Sequence, residues 1–170
     1  MIIRGTDMSG RGRLLRNAAN FRGGILNGVI LLERIIDSYL SWYFTNDKLR
    51  GDELMDMLFA SKDGVPMKRK TILFKKLIKK NDINFHNSND KFFKDIDFVI
   101  EQRNIFAHYL LDTDDQAIKD HIEKKSITFL MYHDEEKKVH YDIDKLDDIV
   151  DKIEYTLKIA SNVYKDLRNN

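Results

Sequence analysis

Residues 14–44 read LLRNAANFRGGILNGVILLERIIDSYLSWYF. Within them Phe21, Ile25, Val29, Leu32, Ile36, Leu40 and Tyr43 recur every three or four positions. At 3.6 residues per turn that spacing lays one apolar stripe along a helix, whereas a half-buried strand alternates every second residue. The segment is predicted as a long amphipathic helix, and its length makes the chain mostly α. Gly23, Gly24 and Gly28 fall inside it. Each weakens a helix interior by up to about 1 kcal/mol, so they point either to a later start or to the close approach of another backbone. Trp42, Tyr43 and Phe44 end the helix as an aromatic packing cluster.

On the N-terminal side, residues 1–13 carry Gly5, Ser9, Gly10 and Gly12 among Arg4, Arg11 and Arg13, with no apolar period. They read as a flexible basic tail, and the two Gly-Arg pairs would also suit an RNA-binding arm. Residues 14–170 show no internal repeat and no linker, and read as a single domain.

On the C-terminal side a short helix is predicted over residues 52–60, with Leu54, Met57 and Leu58 on one face, then a loop over 61–66 marked by Asp-Gly and Pro66. Residues 67–80 form the next helix, with Leu73, Phe74, Leu77 and Ile78 inward. Lys68, Arg69, Lys70, Lys75, Lys76, Lys79 and Lys80 cover the remainder with no anion among them. That surface is either a solvated face or one that meets phosphates. Residues 81–89 are polar, and Ser88 or Asn89 can cap a third long helix over 91–111, which the acidic Asp112-Thr113-Asp114-Asp115 ends.

The period then changes. Residues 126–133 and 139–143 are rich in β-branched and aromatic side chains, and the polar 134–138 between them reads as a turn, giving a β-hairpin over about 126–143. Asp144, with Asp147 in an approximate capping box, opens a last helix whose stripe is Leu146, Ile149, Val150, Ile153, Leu157, Ala160, Tyr164 and Leu167. The expected fold is a mostly α, antiparallel helical bundle with a C-terminal hairpin inserted before the last helix.

Composition narrows the function. The 170 residues are 42% apolar and 34% charged with a net charge of +1, but the first 80 hold 16 basic against 8 acidic residues and the rest 13 against 20. Near-neutrality hides two opposed halves, so nucleic acid is not excluded as a partner. The absence of cysteine excludes disulfide scaffolds, thiolate-bound zinc and thiol nucleophiles. No apolar run approaches the roughly 20 residues of a membrane span, and no apolar signal-peptide core follows the basic start, so a cytoplasmic protein is expected. One proline and eight glycines disfavour a sandwich of many tight turns.

The helix over 91–111 carries the chemistry. At about 100° per residue from Ile96, its apolar side chains gather within roughly 80°, and Arg103 falls near the middle of that stripe, with Asn104 and His108 along its flank. An arginine there is costly unless it is paired or opens onto a polar cleft. Either Arg103 pairs with an acid such as Glu33 or Asp37 while His108 caps helix carbonyls, or the group is chemical. An arginine fork holds a phosphate, a histidine moves a proton near neutral pH, and Asn104 can orient either one. Together they suit metal-independent RNA cleavage, in which a ribose 2′-oxygen attacks the adjacent phosphorus.

The segment Glu101-Gln102-Arg103-Asn104-Ile105-Phe106-Ala107-His108-Tyr109 resembles the signature of HEPN domains: an arginine, a polar residue directly after it, and a histidine four to six residues on. The resemblance covers about residues 14–111 with the final helix, and there is some similarity to the mannitol-repressor branch. It implies a HEPN-type bundle and a homodimer in which two copies of the motif face each other. The implied activity is that of an endoribonuclease of a toxin–antitoxin or phage-defence system, with RNA as substrate and an antitoxin or other regulatory protein as partner. It also allows the alternative of a non-catalytic regulatory or protein-interaction module. Arg103, His108 and Asn104 match the catalytic positions. In some toxin members a tyrosine two residues after the histidine is nucleotidylated, but Leu110 stands there here. Lys68, Arg69, Lys75, Lys76 and Lys79 are the candidate RNA-binding residues.

No cofactor and no metal are expected. His133 and His140, with Asp134 and Asp142, lack a third ligand at fixed spacing, and His86 and His121 lie in polar segments and read as solvated. No phosphate-loop pattern, serine triad or helix-turn-helix spacing is evident.

Overall fold

The computed structural model describes residues 10–59, 64–131 and 134–169. In chain order the elements are α1 (Gly10–Thr45), α2 (Lys48–Leu54), a π-helical turn (Met55–Phe59), α3 (Met67–Asn81), α4 (Ile83–Ser88), α5 (Asp90–His108), β1 (Leu110–Leu111), α6 (Asp115–Lys124), β2 (Ile127–Met131), β3 (Asp134–Tyr141) and α7 (Ile143–Asn169). The chain is mostly α, with a small antiparallel sheet before the last helix. Among the described residues no helix is long and apolar enough to cross a membrane.

The expected stripe of α1 is buried at Ile25, Val29, Leu32, Ile36 and Leu40, and Leu14 and Ala18 extend it toward the N-terminus. The helix begins at Gly10, so Arg11 and Arg13 belong to it and not to a tail; residues 1–9 lie outside the described residues. Gly10 rests against the side chains of Ile118 and Ile122 on α6, and this packing anchors a start that local propensity does not announce. Of the three interior glycines only Gly28 faces a close neighbour: a Cβ there would meet Cγ2 of Ile153 at 2.5 Å, while Gly23 and Gly24 have open space.

Two compact units emerge, one from Met1–Asn27 with Glu101–Asp151, the other from Gly28–Ile100 with Lys152–Asn170. The helices α1, α5 and α7 each contribute to both. In the first unit the sheet order is β1-β2-β3, with Leu111 opposite Phe129 and Ile127 opposite Tyr141. Phe106, Phe129 and Tyr141 gather there, with ring centroids 4.9 Å (Phe106–Phe129) and 5.0 Å (Phe106–Tyr141) apart. Buried Val29, Ile36, Phe74, Phe92, Ile96, Val99 and Ile153 belong to the second unit.

Several expected boundaries move. The segment 134–138 is strand and not turn, because β3 pairs from Asp134 onward with a register shift between Leu130 and Met131. Helix α5 ends at His108 and not near residue 111, because Leu110 and Leu111 leave it to pair with β2. Helix α6 was not anticipated; Asp114 caps it by accepting from the Ala117 N–H at 2.6 Å. Asp142, not Asp144, caps α7 by accepting from the Lys145 N–H at 2.9 Å. The short helix expected over 52–60 is α2 followed by the π-helical turn, with Asp47 as its cap.

Candidate functional site

Helix α5 buries Ile96, Val99, Gln102 and Phe106. Gln102 therefore takes the inward position expected for Arg103. The centre of the buried arc lies between Val99 and Phe106, about 70° from Ile96 on the same side as Arg103, which stands about 50° from that centre. Arg103, which the wheel sets between Ile96 and Val99, is nonetheless exposed, and its charge stays in water. Gln102 Oε1 accepts a 2.7 Å hydrogen bond from the Tyr141 hydroxyl. Burial pushes the Tyr141 hydroxyl well above its ordinary pKa, so it remains a donor.

Arg103, Asn104 and His108 are all exposed on the last two turns of α5. Arg103 Nη1 donates to Asn104 Oδ1 at 3.2 Å, linking the first two. The alternative pairing of Arg103 with Glu33 or Asp37 does not occur, because those acids hold Lys70 at 2.7 and 2.8 Å. The exposed face thus presents a planar cation, an amide and an imidazole from one helix end. These are the donor types that grip a phosphodiester and shuttle a proton beside it.

Spacing gave no sign of Arg22, which lies 87 residues from its partner. Its Nη2 donates to the Tyr109 carbonyl at 2.9 Å, directly after His108, and its guanidinium lies 5.2 Å from the Phe129 ring centre. The only hint was one arginine beside the apolar stripe of α1. Arg22 thus closes the C-terminal end of α5, the role considered for His108.

The basic residues divide. Lys68, Arg69, Lys76 and Lys79 are exposed on α3. Lys75 is tied to Asp97 at 2.6 Å and to the Phe93 carbonyl at 3.0 Å, which removes it as a free phosphate ligand. Lys70, expected at the surface, is 2% exposed. Arg103, Asn104 and His108 belong to the first unit and the α3 cations to the second.

Of the other histidines, His133 lies outside the described residues, and His140 Nδ1 is 2.9 Å from Thr128 Oγ1. Among the described residues no group of three or more His, Asp or Glu side chains could hold a metal ion. His121 is buried and not solvated, with Nδ1 donating to the Ser126 carbonyl at 3.0 Å and Nε2 3.3 Å from the Asn17 amide.

Comparison of the chain with protein-family models, with curated proteins and with solved structures gives no match.

Proposed function

We propose that the chain is a HEPN-type, metal-independent endoribonuclease that works as a homodimer. The observation that carries this reading is the joint exposure of Arg103, Asn104 and His108 at one helix end, where among the described residues no acid pairs with the arginine. Arg103 holds the scissile phosphate through its fork of N–H donors. His108 takes the proton from the ribose 2′-hydroxyl, and the 2′-oxygen bonds to phosphorus. As the bond from phosphorus to the 5′-oxygen breaks, that oxygen is protonated by an acid, for which the second copy's motif is the candidate. The products are a 2′,3′-cyclic phosphate and a 5′-hydroxyl. Asn104 orients Arg103, and Lys68, Arg69, Lys76 and Lys79 supply backbone contacts to RNA.

The test is cleavage of a mixed RNA pool in EDTA, with oligomeric state measured by light scattering. Cutting by wild type, lost in His108→Ala with the fold retained, supports the reading; equal inertness of both proteins overturns it.

One observation favours a second reading, a non-catalytic regulatory module. The unit that holds the motif also holds Asp112, Asp114 and Asp115 and the acidic start of α7, whereas the lysine-rich helix belongs to the other unit. Lys138 offsets Asp112 and Asp114, but Asp115 and the start of α7 leave exposed carboxylates in the motif's unit, which disfavour RNA and suit a basic protein partner, such as an antitoxin. An Arg103→Ala variant that loses self-association, in a protein without nuclease activity, would favour it.

A further inference from the structure

A cavity of about 400 Å³ lies wholly within the second unit, between segments of α1, α3, α4 and α7. That volume is in the range that encloses small organic ligands. Tyr39 forms its floor at 3% exposure, and Tyr43, Phe85 and Leu167 line its sides. The Tyr39 and Tyr43 rings are nearly parallel, at 14° with centroids 6.3 Å apart. Asp82 and Asp166 stand at the exposed rim, and among the described residues no lysine, arginine or histidine lines the cavity.

The polar groups have defined states. Burial raises the pKa of the Tyr39 hydroxyl despite its hydrogen bond with Asn81, so the floor presents a neutral phenol. Asp82 uses Oδ1 to accept the Phe85 N–H at 2.8 Å, and a carboxylate has a second oxygen for another donor. Electron-rich ring faces attract a cation within about 6 Å, and two carboxylates add a charge-assisted contact. An anion would meet two like charges and no counter-charge.

We propose that this cavity binds a small organic monocation, an ammonium group on an aromatic or short aliphatic body. Tyr39, Tyr43 and Phe85 enclose the body, and Asp82 and Asp166 hold the charge at the rim. The site is independent of the Arg103–His108 motif and stands whether or not the chain cuts RNA.

The experiment titrates the full, isotope-labelled chain with phenethylamine, and separately with 2-phenylethanol and 3-phenylpropionate, following amide and methyl resonances. Saturable shifts at Asn81, Phe85, Val163 and Leu167 with the amine alone are expected. The double variant Asp82→Asn/Asp166→Asn should weaken amine binding at least tenfold. Asparagine caps a helix as well as aspartate does, so α4 should persist, and an unchanged melting temperature would confirm it. Tyr43→Leu, which removes a ring while keeping an apolar wall, should also weaken the amine. Three results would each overturn the proposal: an alcohol that binds as tightly as the amine, a charge-neutral double variant that keeps full affinity, or no saturable shift with any probe.

Discussion

Lys70 places its ammonium 2.8 Å from the Asp37 carboxylate in the interior of the second unit, with Lys70 at 2% and Asp37 at 5% exposure. Glu33, more exposed, takes the same ammonium at 2.7 Å. Burial alone would strip the lysine of its proton, but its hydrogen bonds to Asp37 and Glu33 more than offset this and raise its pKa above 10.5. Burial also raises the Asp37 carboxyl against the pull of Lys70.

Removing the cation leaves Asp37 buried without a partner, a change that typically costs about 3–5 kcal/mol. Lys70→Met should destabilise by that order in urea denaturation, and Lys70→Met/Asp37→Leu should recover much of the loss. A Lys70→Met variant as stable as wild type would mean that the triad is solvated.

The same pair sets a pH dependence. A lysine whose folded pKa is raised contributes stability that is fully present below its unfolded value, near 10.5, and is lost as pH rises through the folded value. Wild type should therefore lose its advantage over Lys70→Met only above about pH 10.5. Asp37 acts in the opposite range: with its pKa raised above 3.8, the cost of its charge is relieved as pH falls toward that value. Denaturation midpoints of both proteins at neutral pH and at pH 9 to 12 test the lysine side.

The positions of Gln102 and Arg103 give a paired prediction. Tyr141→Phe removes the donor to buried Gln102 Oε1 and should cost about 1–3 kcal/mol. Arg103→Ala removes an exposed side chain and should stay within about 0.5 kcal/mol of wild type. If Arg103→Ala proves the costlier change, the arginine is the inward residue.

These neighbours show how far the sequence could be read. The helical character of residues 14–44, 67–80 and 146–167 was legible because a three-to-four period survives any tertiary detail. The adjacency of Arg103, Asn104 and His108 followed from the same period. The inward choice between Gln102 and Arg103 was not legible, since it depends on the Tyr141 hydroxyl arriving from β3, 39 residues away. The burial of Lys70 likewise needs two acids from α1, and the end of α5 at His108 needs a partner strand and Arg22. Only long-range pairing could decide each of these.

The glycines of α1 supply a last prediction with an internal control. Alanine favours a helix interior over glycine by roughly 0.5–1 kcal/mol. At Gly23 and Gly24 an added Cβ meets nothing within 4 Å, so Gly23→Ala and Gly24→Ala should each stabilise by about that amount. At Gly28 the same methyl would sit 2.5 Å from Ile153 Cγ2, below any ordinary contact. Ile153 is buried and branched at Cβ, so it has little freedom to move aside. Gly28→Ala should therefore destabilise, by about 1–3 kcal/mol, and Gly28→Ala/Ile153→Val should recover part of the loss by removing the Cδ1 methyl, which lies 3.5 Å from the added Cβ, and so giving the side chain room to shift. Thermal melts of the four variants decide the matter: a stabilising Gly28→Ala would show that α1 and α7 do not approach closely at this point.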